Sequence, residues 1–171
     1  MNKTAFAYAL LVASCFAAPS TPLLAQSAQD VQSAMQVLKS KTAQAGAPSL
    51  KGEEELEGHK VPVLYLGTKR VNGDFAIVDE VQKEKGGTAT LFVKSGEDFV
   101  RVSTNVKKPD GSRAVGTVLD PKGKAIAAIR KGEAFAGEVD ILGKPYLTAY
   151  EPMRDAKNQV IGVYYVGYVK Q

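Results

Sequence analysis

A chain of 171 residues, 44% hydrophobic and 23% charged, holds enough apolar material for one packed core and is short for two domains. Its formal net charge of +4 comes from lysines scattered among acids, as in Glu84-Lys85 and Asp120-Pro121-Lys122, without the basic stripe and interleaved aromatics of a nucleic-acid binder. One cysteine, Cys15, excludes an internal disulfide, and one histidine, His59, excludes a multi-histidine metal centre or a Ser-His-Asp arrangement built in the core.

The first segment reads as an export leader. Lys3 gives a positive start, Thr4 to Phe16 is uncharged and mostly apolar, and Ala17 to Ala25 is rich in small residues and proline. The apolar run is shorter than the roughly 20 residues of a membrane-spanning helix. Two processing sites compete: Val12-Ala13-Ser14-Cys15 has the shape of a lipoprotein site, and a cut after Ala25 leaves a polar start at Gln26-Ser27. The second is favoured because the apolar character continues past Cys15 to Leu24. The organisation expected is a signal peptide over 1–25, a helix and linker over 26–50, and one domain over 51–171. No transmembrane span is expected in the mature chain.

Asp30 to Ala43 places Val31, Met35 and Leu38 at near-helical spacing, with Asp30 in position to cap the helix and Gly46 and Pro48 to stop it. Lys51 to Lys60 is polar and acidic, as in a surface loop or a frayed helix. Val61 to Leu66 reads as a short strand, and Phe75 to Lys83 as a helix buried on Val78 and Val81. Thr88 to Val93 and Phe99 to Val106 form a hairpin across Ser95-Gly96-Glu97-Asp98. Lys107 to Arg113 is a turn-rich loop, and Ala125 to Arg130 a short helix ended by Gly132.

A second hairpin pairs Phe135–Leu142 with Pro145–Met153 across Gly143-Lys144. Asn158 falls where a turn needs left-handed backbone, which asparagine tolerates. Val160 to Val169 is apolar on both faces and reads as a central strand. The sum is an α+β domain with a five-stranded antiparallel sheet, a leading helix and short inserted helices, the element order of a PAS-like sensor sheet.

Several stretches, in order, carry a resemblance. They are Gly86-Gly87-Thr88-Ala89-Thr90-Leu91-Phe92-Val93, Asp98 to Val106, Asp110 to Thr117, Ile141 to Tyr146, Tyr150-Glu151-Pro152 and Val160 to Gly167. Together they resemble the Cache superfamily of extracellular sensor domains, most closely the fusion of Cache types three and two found in bacterial chemoreceptors and sensor kinases. The resemblance is strong over residues 86–171 and fades toward residue 60. It implies a PAS-like fold, a small ligand and no catalytic machinery. Such domains usually run from the last strand into a membrane helix. Here the sequence stops at Gln171, so the expectation is a freestanding exported module acting with a separate membrane-bound receptor or kinase.

Strand alternation puts Phe99, Arg101, Ser103 and Asn105 on one face, and Val100, Val102 and Thr104 on the other. The polar set either faces water or lines a pocket, and the resemblance favours the pocket. Tyr146, Thr148 and Tyr150 share a face of their strand, as pocket wall or plain core. Arg113 and Thr117 flank the inserted loop, where Arg113 reads equally as a surface charge. The candidate ligand site is therefore Arg101, Ser103, Asn105, Arg113, Thr117, Tyr146, Thr148 and Tyr150. A guanidinium in a pocket matches a carboxylate bidentately, which makes short organic acids the ligand class expected.

No catalytic residue, cofactor or metal site is expected. Glu53, Glu54, Glu55 and His59 read as a solvated acidic segment rather than a metal pair. Gly137 to Lys144 lacks phosphate-loop spacing and has Pro145 where Ser or Thr is required. Asp79, Asp98, Asp110, Asp120 and Asp155 fall at turns or element ends. Two other readings stay open: an enzyme whose carboxylates converge across the fold, and an interaction protein whose pocket is filled by Phe99, Tyr146 and Tyr150.

Overall fold

The structure, a computed structural model, describes residues 23–170. The leader expected over 1–25, with Cys15, lies outside the described residues except for its last three positions, which open the first helix.

Helix α1 (Leu23–Ala45) is longer than the apolar spacing indicates. Val31, Ala34, Met35, Leu38 and Thr42 recur at three- and four-residue steps, and all are buried. Asp30 sits inside the helix rather than capping it, because Ala28 and Gln29 before it are good helix formers. The stop is Gly46, whose φ of +129° suits glycine alone. A Cβ there would lie 2.6 Å from the backbone of Gly67.

The acidic segment is neither a loop nor a frayed helix. Strands β1 (Pro48–Leu56), β2 (His59–Leu66) and β3 (Lys69–Arg70) form an antiparallel three-stranded sheet of their own. Glu57 and Gly58, with φ of 49° and 79°, make the two-residue primed turn of a hairpin. β1 is an edge strand open to solvent along much of its length, so it shows no apolar alternation. Cross-strand polar pairing supports it instead. Glu53 pairs with Lys60 at 2.7 Å, while Glu54 pairs with Arg70 and accepts a 2.7 Å hydrogen bond from Asn72. Leu50 and Leu56 supply the apolar anchorage.

Helix α2 (Ala76–Lys85) buries Val78 and Val81 as expected, and Asp74 accepts the N–H of Ala76 at its start. Beyond it come β4 (Thr88–Ser95), β5 (Asp98–Thr104), α3 (Lys124–Arg130), β6 (Phe135–Ile141), β7 (Lys144–Arg154) and β8 (Val160–Val169). The five strands make one antiparallel sheet in the order β5-β4-β8-β7-β6, with β8 in the middle as its two apolar faces require. The β6–β7 turn falls on Leu142-Gly143, one residue earlier than expected, because Leu142 takes left-handed backbone. Asn158 does the same at φ 63°.

The sheet divides the molecule into two cores. On one face Ala89, Leu91, Val93, Val100, Val102, Ala149, Met153 and Val166 pack beneath α1, α2 and β2. On the other, Phe92, Phe99, Tyr146, Tyr150, Val163 and Tyr165 pack beneath Ala114, Leu119 and the Ala125, Ile126 and Ile129 stripe of α3. Each large side chain so buried contributes about 1.5–3 kcal/mol. The second face is the one that leaves a cavity.

Candidate ligand-binding site

Strand β5 does not alternate simply. Leu91 pairs with Ser103 and Phe92 with Arg101, so Val102 is the extra residue of a β-bulge. The bulge reverses the order of faces along the strand. Arg101 lies with Phe99 and Phe92 on the α3 face, and Thr104 joins that face through a 2.6 Å hydroxyl contact with Thr90. Ser103 and Asn105, expected beside Arg101, turn to the α2 side. Ser103 donates to the Asp74 carbonyl at 2.6 Å. Asn105 donates to the Val78 carbonyl at 2.7 Å and accepts the N–H of Ala89 at 2.8 Å. Both are buried structural staples between β5 and α2.

Arg113 also leaves the expected set. Its guanidinium grips Asp79 with two bonds of 2.7 and 2.8 Å, donates to the Thr104 carbonyl, and lies 4.3 Å over the Phe75 ring. Its charge is thereby matched by the Asp79 carboxylate, and it stands away from the Arg101 cavity. Thr148 spends its hydroxyl on the Gly137 carbonyl at 2.8 Å.

Arg101, Thr117 and Tyr150 do come together. Segment 114–119 laces onto the outer edge of β5: Arg101 N–H donates to the Thr117 carbonyl at 3.0 Å, Gly116 N–H to the Arg101 carbonyl at 2.9 Å, and Leu119 N–H to the Phe99 carbonyl at 2.8 Å. This sets the Thr117 hydroxyl to accept from one Arg101 terminal nitrogen at 2.7 Å, while donating to the Ala114 carbonyl. The guanidinium lies 4.9 Å over the Phe92 ring. Arg101 is only 5% exposed, and among the described residues no carboxylate pairs with it. Its Nε is buried with no hydrogen-bond partner.

Beside it is a cavity of about 220 Å³, lined by Arg101, Tyr150, Leu119, Ala125, Val139 and Ile141, with Asp120, Lys124 and Asp140 among its exposed wall residues. Asp120 and Asp140 each accept a backbone N–H of their own turn, from Lys122 at 3.0 Å and from Gly143 at 2.8 Å. Tyr150 packs on Tyr165 with ring centroids 4.9 Å apart and on Phe135 at 6.2 Å. Burial pushes both the Tyr150 and Tyr165 phenols well above their ordinary range, so each stays a neutral group at physiological pH. Burial also pulls Arg101 down, but a guanidinium holds its proton at neutral pH. The charge is therefore real and uncompensated.

Tyr146 shares the face of Tyr150 but lines a neighbouring hollow beyond Ile141. Gly167, opposite Thr148 across β7 and β8, makes room for the Tyr165 hydroxyl, which meets Thr88 at 3.0 Å. The wall residues Val139 and Ile141 were missed in the sequence, although the alternation Phe135, Gly137, Val139, Ile141 along β6 carries the signal. Nothing comparable marks Leu119, Asp120 or Lys124.

The other aspartates named in the sequence are spent on local partners. Asp79, Asp98, Asp110 and Asp155 are held by Arg113, near Arg130 at 3.7 Å, by Ser112, and by Lys157 and Gln159 respectively. Among the described residues no group of His, Cys, Asp or Glu side chains is placed to hold a metal ion, and no helix is long and apolar enough to cross a membrane.

An α+β domain with this sheet order, a long leading helix on one face and a small cavity under loops on the other is a PAS-like sensor fold. The profile described as the Cache 3/Cache 2 fusion domain matches residues 23–171, and the chain belongs to that family, whose members are extracellular sensor modules. The match takes in α1 and the β1–β2 hairpin as well as the segment from Gly86 onward. A search among curated proteins found no match.

Proposed function

We propose that this chain is an exported, periplasmic binding module that captures a short monocarboxylic acid with Arg101 and hands the signal to a membrane-bound receptor or kinase. The observation that carries the reading is the buried Arg101 guanidinium, without a carboxylate and with an idle Nε, at the wall of a cavity. Burying an unpaired charge is costly, and native structures rarely retain one without a partner. A carboxylate would supply that partner, with the neutral Tyr150 phenol as a second donor. Leu119, Ala125, Val139 and Ile141 suit a short aliphatic tail. The size supports a small ligand, since about 220 Å³ falls below the roughly 300 Å³ at which drug-sized sites begin. A mature chain beginning after Ala25, with its helix packed on a domain over 51–171, fits this role.

The test is a thermal-shift series on the purified protein with short monocarboxylic acids, the matching primary amides, dicarboxylic acids and amino acids. A true ligand at about 100 times its dissociation constant adds roughly 2.7 kcal/mol of stability. Short monocarboxylates should shift the melting temperature and their amides should not. An amide that works as well as its acid would remove the guanidinium–carboxylate mechanism.

A further inference from the structure

Beyond Ile141, reaching across to Gln82 of α2, lies a second and larger hollow of about 420 Å³. Its walls come from the 105–109 segment, the start of β4, and the β6–β7 turn, and they differ from those of the Arg101 cavity. Three of the lining residues are lysines, Lys107, Lys108 and Lys144, and none is an acid. Among the described residues Lys107 and Lys144 have no ion-pair partner, and Lys108 reaches Glu57 only at 3.8 Å. The lysines are carried on short, hydrogen-bonded supports. Lys107 bridges to Arg113, Lys108 N–H donates to the Ser112 carbonyl at 2.8 Å, and Lys144 opens β7 directly after the Leu142-Gly143 turn.

The hollow is thus bordered by three lysines without an acid in its wall, and only Lys108 has a carboxylate in reach. The remaining polar lining supplies neutral groups. The Tyr146 hydroxyl, on a side chain 8% exposed, has no hydrogen-bond partner among the described residues, and Gln82 and Thr88 stand nearby on the same wall. The planar fork of an arginine is absent here. Lysines act as separate point charges, and several around one concavity can each meet a different oxygen of a tetrahedral phosphate.

We propose that this hollow binds a small phosphate-bearing anion through Lys107, Lys108 and Lys144, with Tyr146 as a neutral donor. The site shares only the Ile141 wall with the Arg101 cavity and stands independently of what that cavity binds.

Calorimetric titration of the purified protein with inorganic phosphate, pyrophosphate and glycerol phosphate, at matched ionic strength, tests it. Free phosphates and phosphomonoesters share the recognising group, and comparing them shows which form the site takes. A tricarboxylate serves as a control for charge alone. Binding of at least one phosphate compound is expected, weakened roughly tenfold for each lysine removed in Lys107→Ala and Lys144→Ala. It should survive in the charge-preserving Lys107→Arg and Lys144→Arg variants and in Arg101→Met. Both lysines are exposed, so their variants should fold, which circular dichroism checks. No phosphate binding, undiminished binding in the double alanine variant, loss in Arg101→Met, or equal binding of the tricarboxylate would each overturn the assignment.

Discussion

Each face of the central sheet carries an arginine stacked on a phenylalanine, and the two are partnered in opposite ways. Arg113, on the α2 side, lies over Phe75 and is locked to the Asp79 carboxylate by two hydrogen bonds. Arg101, on the α3 side, lies over Phe92 and is the more deeply buried, yet among the described residues a threonine hydroxyl is the one side chain it hydrogen-bonds. The first face is closed by helices α1 and α2. The second is covered by loops and one short helix that leave a cavity beside the unpaired charge. Both faces bury a core, and the cavity beside an unpaired charge sits on the second.

The comparison can be strained from several directions, the largest first. Leu91 is fully buried under the α1–α2 layer, and Leu91→Ala should cost about 3 kcal/mol by chemical denaturation while leaving the acid response of the folded protein intact. Loss of that response in the folded variant would show that the two faces are not separable.

Alkali acts on the cavity face instead. The phenols of Tyr150 and Tyr165 are raised by burial, so above a pH of about 10 the unfolded chain releases protons that the folded one keeps. Stability from these groups is therefore whole below about pH 10 and falls as pH rises, by roughly 1.4 kcal/mol per unit for each phenol. Spectrophotometric titration should show the two phenols ionising only as the fold is lost.

Thr117→Val removes the acceptor for Arg101 at nearly constant volume. It should cost about 1.5 kcal/mol and weaken acid binding several-fold, read by paired denaturation and titration. Asp79→Ala strips Arg113 of its carboxylate. Because Asp79 is nearly half exposed, the cost should be only about 1 kcal/mol, with acid binding unchanged.

The architecture was largely readable because period and turn chemistry agree over most of the chain. Val78 and Val81 mark α2, Asn158 marks a left-handed turn, and the two-faced apolarity of β8 marks the centre of the sheet. Three features escaped for physical reasons. β1 is held by charge pairs and exposed on its edge, so its residues carry no burial pattern to read. The β5 bulge depends on pairing with β4, a tertiary fact, and one extra residue was enough to send Ser103 and Asn105 to the opposite face from Arg101. Arg113 escaped because its partner, Asp79, lies 34 residues away on another element. Of the candidate site, Arg101, Thr117 and Tyr150 converge, while the cavity wall from Leu119 to Gly123 belongs to a loop without periodicity.

The central claim is that Arg101 is kept for a ligand rather than for the fold, and Arg101→Met tests it most directly. Methionine fills much of the same space without the charge, so the ligand-free variant should be at least as stable as the parent, by up to about 1 kcal/mol, and should not respond to any short acid. A ligand-free variant destabilised as severely as Leu91→Ala, or one that still responds to acids, would contradict the account.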